Sequence, residues 1–299
     1  MSKIQSVLVY GATGDQARPV VRRLLESGRT VRALTRNPAK AADLKAWGAD
    51  VVLGDFEDPA SLEAASRGMD GVFLLVPFFD PRLAHAEHAI AAARAANIRL
   101  IVWNPTGSIP PAATGNPALD VRMEIRDALR SSGLPVVTVT PTAYLENFLG
   151  PWTQPELARS DTFAYPLPPT ARVQFVSQED VAAYSVAAFD RPELAGQEIE
   201  IAGPERLAGD EIADRLSRGL GRAVTFRSMP PAEFGAHLDR LFGPGAGAGA
   251  TAFYEAAFEN PQLISTQVDH GLALARLPIA PLTLEAWSRE RAAILDAGR

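Results

Sequence analysis

The sequence predicts an α/β protein, a doubly wound parallel sheet with a smaller α+β lobe lying over the strand ends. Three observations predict it. Short apolar runs at Ile4–Tyr10, Thr30–Thr35, Asp50–Leu53, Gly71–Val76, Ile98–Trp103 and Pro135–Thr140 alternate with stretches of helical spacing, the pattern of strands joined by crossover helices. The first run feeds a glycine turn and then a helix. Beyond Gly150 the rhythm changes, with prolines at Pro151, Pro155, Pro166, Pro168 and Pro169 and shorter segments. The expected division is therefore residues 1–150 and residues 151–299, interleaved and with an approximate boundary.

The first turn is the most informative stretch. After Val7-Leu8-Val9-Tyr10 come Gly11-Ala12-Thr13-Gly14-Asp15-Gln16-Ala17, then a helix from Pro19 that stops at Gly28. N–H groups and the macrodipole at such a helix start favour an anion. Gly11 lets the chain turn, Gly14 lets a pyrophosphate approach the backbone, and Ala17 permits close helix–strand packing. This predicts a dinucleotide on a Rossmann sheet. Strand two ends in Arg36-Asn37-Pro38, beside the adenosine ribose, where an acid would hold the 2′-hydroxyl of NAD. Arg36 stands there with Lys40 following and no acid nearby. A guanidinium fork matches a phosphate dianion, so the expected cofactor is NADP(H).

Strand three is followed by Gly54-Asp55-Phe56, where an adenine ring would lie. Asp55 reads equally as an acceptor for the adenine amino group or as a turn residue. Strand four is apolar throughout, as a strand buried on both faces should be, and ends in Pro77-Phe78-Phe79, across the cofactor from the glycine turn. A helix over Arg82–Ala96 carries His85 and His88, which lack the companions of a metal site and read as a helix-surface pair. Strand five runs into Asn104-Pro105-Thr106-Gly107-Ser108, a Pro/Ala/Gly-rich loop, and a helix over Leu119–Arg130. Strand six runs into Pro141-Thr142-Ala143-Tyr144-Leu145-Glu146-Asn147-Phe148. In the smaller lobe, strands are expected at Arg172–Val176, Gln197–Ala202 and Ala223–Arg227, and helices after Ser177, over Asp210–Arg218, Thr251–Phe258 and Leu284–Leu295. Gly243–Gly249 reads as a linker or a lid hinge.

The bulk numbers exclude several classes. Over 299 residues, 47% are hydrophobic, enough for a sizeable core, and the net charge of −6 disfavours a general nucleic-acid or membrane-surface binder. No cysteine is present, which removes disulfides, thiolate metal sites and thiol nucleophiles. Met1-Ser2-Lys3 running straight into a strand, with no long apolar run, predicts no leader, no membrane span and a cytoplasmic location.

The glycine turn, Thr35-Arg36-Asn37-Pro38, Gly54-Asp55, and the run from Ser132-Gly133-Leu134-Pro135 to Glu146-Asn147-Phe148 resemble the NmrA-like family of atypical short-chain dehydrogenases/reductases. The likeness continues through Glu179-Asp180-Val181-Ala182 and Ile201-Ala202-Gly203-Pro204, across nearly the whole chain. It implies that Gly11, Thr13, Gly14, Asp15 and Gln16 line the pyrophosphate, that Arg36 with Lys40 holds the 2′-phosphate, and that Val76 and Pro77 border the nicotinamide. The family holds NADPH-dependent quinone, dye and phenylpropanoid-ether reductases, and also redox-sensing regulators that act through protein partners.

One departure matters. The wider superfamily donates a proton from a tyrosine four residues before a lysine, but this chain has lysines only at 3, 40 and 45. Some members instead carry a lysine eleven residues before the Ser-Gly glycine; counting back from Gly133 gives Arg122. An arginine stays charged, so it serves to polarise a carbonyl or fix a phosphate rather than to donate a proton. Where the acceptor is a quinone, dye or activated alkene, water suffices as proton source. Asn104, Thr106, Tyr144 and Asn147 leave the carboxyl ends of strands and are the candidates for orienting an acceptor. Three have an ordinary reading too: Asn104 as a turn former, Asn147 as a backbone partner, Tyr144 as packing. Phe78, Phe79, Phe148, Trp152 and Phe163 are candidates for an apolar pocket wall. The expectation is thus an NADPH-dependent reductase of a small apolar or aromatic acceptor, monomeric or homodimeric, with a non-catalytic NADP(H) sensor as the alternative.

Overall fold

A computed structural model describes residues 3–77 and 81–299, with no side-chain description at residue 118. In chain order the first elements are β1 (Ser6–Val9), α1 (Arg18–Glu26), β2 (Thr30–Thr35), α2 (Ala42–Ala46), β3 (Asp50–Leu53), α3 (Pro59–Ser66), β4 (Gly71–Leu74), α4 (Leu83–Ala95), β5 (Leu100–Trp103), α5 (Pro117–Ser131) and β6 (Val136–Pro141). Then follow α6 (Gln154–Ser160), β7 (Thr162–Tyr165), α7 (Gln178–Phe189), β8 (Glu198–Ile201), α8 (Gly209–Leu220), β9 (Thr225–Ser228), α9 (Pro231–Phe242) and α10 (Ala248–Glu259). The last are α11 (His270–Arg276), α12 (Leu284–Glu290) and α13 (Ala292–Leu295). No helix among the described residues is long and apolar enough to cross a membrane.

The chain divides into two compact units. The first comprises Met1–Pro141, Gln178–Ile201 and Gly271–Ile279; the second comprises Thr142–Ser177, Ala202–His270 and Ala280–Arg299. The first unit holds a seven-stranded sheet of order β3-β2-β1-β4-β5-β6-β8, parallel at every pairing. The order reverses between β1 and β4, the switch point of a doubly wound sheet. All residues of β4, β5 and β6 are buried, as expected of central strands covered on both faces. Helix α1 forms because Pro19 fits the first turn and Pro19, Val20, Val21 and Leu24 share the buried face. From its opposite side Arg22 and Arg23 reach Glu179 of α7 at 2.6 and 3.2 Å.

The run Gln197–Ala202, expected in the smaller lobe, instead supplies β8, and Thr138–Pro141 pair with Glu198–Ile201. A strand's partner is set by long-range packing, which local pattern does not carry.

In the second unit β7 and β9 pair in parallel, and aromatic side chains make the core. Phe148 and Phe163 are fully buried with ring centroids 4.6 Å apart; Phe175 lies 4.8 Å and Trp287 6.1 Å from Phe148. The strand expected at Arg172–Val176 is only a pair of isolated bridges, Tyr144 with Val176 and Val173 with Leu207. Between the two bridges a side chain takes up the backbone: the Gln174 N–H donates to Thr266 Oγ1 at 2.6 Å. The Gln174 carboxamide is itself taken up by the Val268 backbone, accepting from its N–H at 2.7 Å. The stretch Gly243–Gly249 turns the chain from α9 into α10, and the Gly247 N–H donates to Asp239 Oδ1 at 2.7 Å.

Candidate functional site

The segments that leave β1, β2, β3, β4 and β5 open onto one cleft of about 460 Å³ in the first unit. Gly11, Thr13, Gly14, Asp15, Gln16, Arg36, Lys40, Asp55, Phe56, Val76 and Pro77 all line it. All eleven residues expected to hold the cofactor therefore meet at the switch point, where open α/β sheets bind ligands. Phe78 and Phe79 lie outside the described residues.

The glycine turn has the geometry an anion needs. Gly11 has φ of +64°, a conformation that only glycine adopts without strain. The Gly14 N–H donates to the Gly11 carbonyl at 2.8 Å, so closely that a Cβ on Gly14 would stand 3.2 Å from that oxygen. Ala12 N–H is taken by Leu34 O and Arg18 N–H by Gly14 O, whereas the N–H groups of Thr13 and Asp15 have no acceptor among the described residues. The N-cap of α1 is Ala17, whose side chain cannot accept a hydrogen bond, which leaves that positive end for a ligand. The Thr13 hydroxyl is paired with that of Thr35 at 3.1 Å. Arg18 pairs with Asp43 and donates to Thr13 O at 3.1 Å, fixing the turn from behind.

At the other end, Arg36 and Lys40 are exposed, and among the described residues neither side chain has an ion pair. Two uncommitted cations beside an N–H cradle form a donor set that fits a phosphorylated dinucleotide.

The Gly54-Asp55-Phe56 loop after β3 is built more firmly than its sequence suggests. Asp55 does turn work, its Oδ1 accepting from the Glu57 N–H at 3.1 Å, and it faces the cleft as well. The Phe56 ring lies 5.2 Å from Tyr10 and 5.1 Å from His85. His85, expected on the helix surface, is buried; its Nε2 is 2.9 Å from Glu57 Oε1. His88 Nδ1 reaches the Phe56 carbonyl at 2.7 Å. The two histidines thus brace the Phe56 loop, because i and i+3 positions of one helix face it together. The His85 hydrogen bond, with Arg82 nearby, holds the Glu57 carboxyl below its usual range. Burial pushes the Tyr10 phenol up to about 12, against a hydrogen bond with Ser66, so it stays neutral behind the site.

The candidate acceptor residues separate. Thr106 lines the cleft. Asn104 is fully buried, and its Oδ1 accepts from the Thr106 N–H at 2.7 Å. Arg122 does not line the cleft; its Nη1 donates to Ser108 O at 2.9 Å. Tyr144 and Asn147 belong to the second unit. Tyr144 is buried beside the Val176 bridge, and the Asn147 side chain hydrogen-bonds the Tyr165 phenol, whose pKa complete burial raises. Phe148 and Phe163, expected as a pocket wall, are core residues of the second unit, and Trp152 packs on Phe234 at 5.9 Å there. Sequence reasoning missed Gln178, which lines the cleft from the start of α7; nothing local to it signals that position.

A model of the NmrA-like family matches residues 3–265. The chain is 32% identical over 222 residues to an NAD(P)H azoreductase of Xenophilus azovorans, covering 74% of this chain and 76% of that protein. It is 34% identical over 223 residues to a (4-alkanoyl-5-oxo-2,5-dihydrofuran-3-yl)methyl phosphate reductase of Streptomyces griseus, covering 75% and 77%. Among solved structures, an NADPH-dependent quinone oxidoreductase of Escherichia coli shares the fold, with a TM-score of 0.78 at 23% identity over 96% of this chain and 99% of that one. The chain belongs to the NmrA-like family.

Proposed function

We propose that this protein is an NADP(H)-dependent oxidoreductase that reduces a small apolar or aromatic acceptor of the quinone or unsaturated-carbonyl type. The observation that carries the reading is the cleft: an N–H cradle at the Gly11–Gln16 turn and two uncommitted cations, Arg36 and Lys40, share one cavity. The reductase names of its relatives support the reaction class.

The cofactor, when bound, supplies a hydride to the acceptor. The chain's own residues bind and orient. Thr13, Gly14, Asp15 and Gln16 surround the pyrophosphate, and Arg36 with Lys40 takes the 2′-phosphate. Asp55 and Phe56 flank the adenine; Val76 and Pro77 border the nicotinamide. Thr106 orients the acceptor. With no Tyr-x-x-x-Lys pair in the sequence, the accompanying proton comes from water, which a conjugated acceptor permits because its reduced form is a weak base.

Steady-state loss of NADPH absorbance with a panel of quinones, azo compounds and enones tests this. Turnover with at least one conjugated acceptor is expected, faster with NADPH than with NADH. Tight NADPH binding with no turnover across the panel would overturn the reductase reading.

A further inference from the structure

Among the described residues, three that are not glycine have positive φ: Asn97, Thr106 and Asp161. Asn and Asp tolerate that region through their short polar side chains, and these two lie just after α4 and α6. Thr106, at +62°, is β-branched, and for such a residue the left-handed region is a genuine outlier. It also lies in the cleft. Strain of this kind persists only where the surroundings over-determine it.

They do so from both sides. Asn104, buried at the end of β5, anchors its own N–H on Leu74 O at 3.1 Å and accepts the Thr106 N–H at 2.7 Å. On the far side Arg122 donates to Ser108 O, and a Cβ on Gly107 would come within 3.0 Å of Arg122 Nη1. Glycine at 106 would adopt the same backbone without strain, yet threonine stands there. Its hydroxyl has no hydrogen-bond partner among the described residues.

We propose that Thr106 is held in this conformation so that its hydroxyl hydrogen-bonds the acceptor, with Asn104 and Arg122 as positioning residues. Arg122 then belongs to the scaffold of the site. The proposal rests on the reductase reading for the hydroxyl's role, while the strain is measurable on its own.

The experiment compares the full chain with Thr106→Gly, Thr106→Ala, Thr106→Ser, Asn104→Ala and the double variant Asn104→Ala/Thr106→Ala. Without cofactor, Thr106→Gly should melt above Thr106→Ala by about 2 °C, because only alanine keeps the Cβ conflict. With a responsive acceptor, kcat/KM should fall roughly tenfold in the Gly and Ala variants, the loss of one hydrogen bond. Thr106→Ser should recover it to within about threefold, since the hydroxyl is restored. NADPH affinity should stay within about twofold throughout, and the double variant should lose no more than Asn104→Ala alone, as residues acting through one contact do. Thr106→Ala melting at or above Thr106→Gly would overturn the strain. Full activity in Thr106→Ala, or single losses that multiply in the double variant, would overturn the hydroxyl and its positioning. A parent that binds NADPH but reduces no acceptor would overturn the reductase reading together with the hydroxyl's role, and the melting order would separate that from a failure of the strain.

Discussion

Arg36→Asp should raise the Kd for NADPH by about two orders of magnitude and lower that for NADH severalfold. The native side chain is exposed, lines the cleft and has no ion pair among the described residues, so its charge is available to a ligand. A charge-assisted hydrogen bond is worth about 1.5–3 kcal/mol, which alone is one to two decades. The new carboxylate adds repulsion toward the 2′-phosphate and, with NADH, an acceptor for the 2′-hydroxyl. Lys40→Ala should cost less, about tenfold, since a flexible ammonium recognises phosphate as a point charge. Calorimetric or fluorescence titration of both nucleotides measures this. An NADPH affinity within twofold of the parent would show that the 2′-phosphate lies elsewhere.

Phe148→Ala should destabilise the protein by about 3–5 kcal/mol, the usual range for deleting a buried phenylalanine. Its ring is fully buried and meets Phe163, Tyr165, Phe175 and Trp287 edge-on, with centroids 4.6 to 6.1 Å away. Edge-to-face contacts of this kind contribute beyond their area, so the cavity left behind should collapse poorly. Equilibrium urea unfolding gives the loss. Below the transition NADPH affinity should be unchanged, because the cleft belongs to the other unit. A loss under about 1 kcal/mol would mean that the aromatic cluster repacks around the gap.

How much of this was legible in the sequence depends on how local each cause is. Strands β1 to β6 were, because each is a short apolar run bounded by turn residues. The lining of the cleft was too, because the glycine turn and Arg36 directly follow β1 and β2, whose carboxyl ends open onto it. Strand β7 was not: four residues followed by Pro166, Pro168 and Pro169 look like a loop until β9 arrives beside them. The placement of Phe148 failed for a related reason, since an aromatic side chain is equally suited to a pocket wall and a core. Gln178 was invisible because its neighbours in the cleft are remote in sequence. Thr106 was named as a candidate, but its significance is a backbone angle, and composition does not encode that.

The chain passes between its two compact units five times, at 141/142, 177/178, 201/202, 270/271 and 279/280. No single cut therefore liberates either unit. A fragment ending near residue 150 would lack α7 and β8, and would expose the free edge of β6 along Thr138–Pro141, an invitation to aggregate. A genetic fusion or split-protein design cannot treat the first unit as a cassette. Recombination that exchanged residues 151–299 alone would also replace β8, and with it the strand that pairs with Thr138–Pro141.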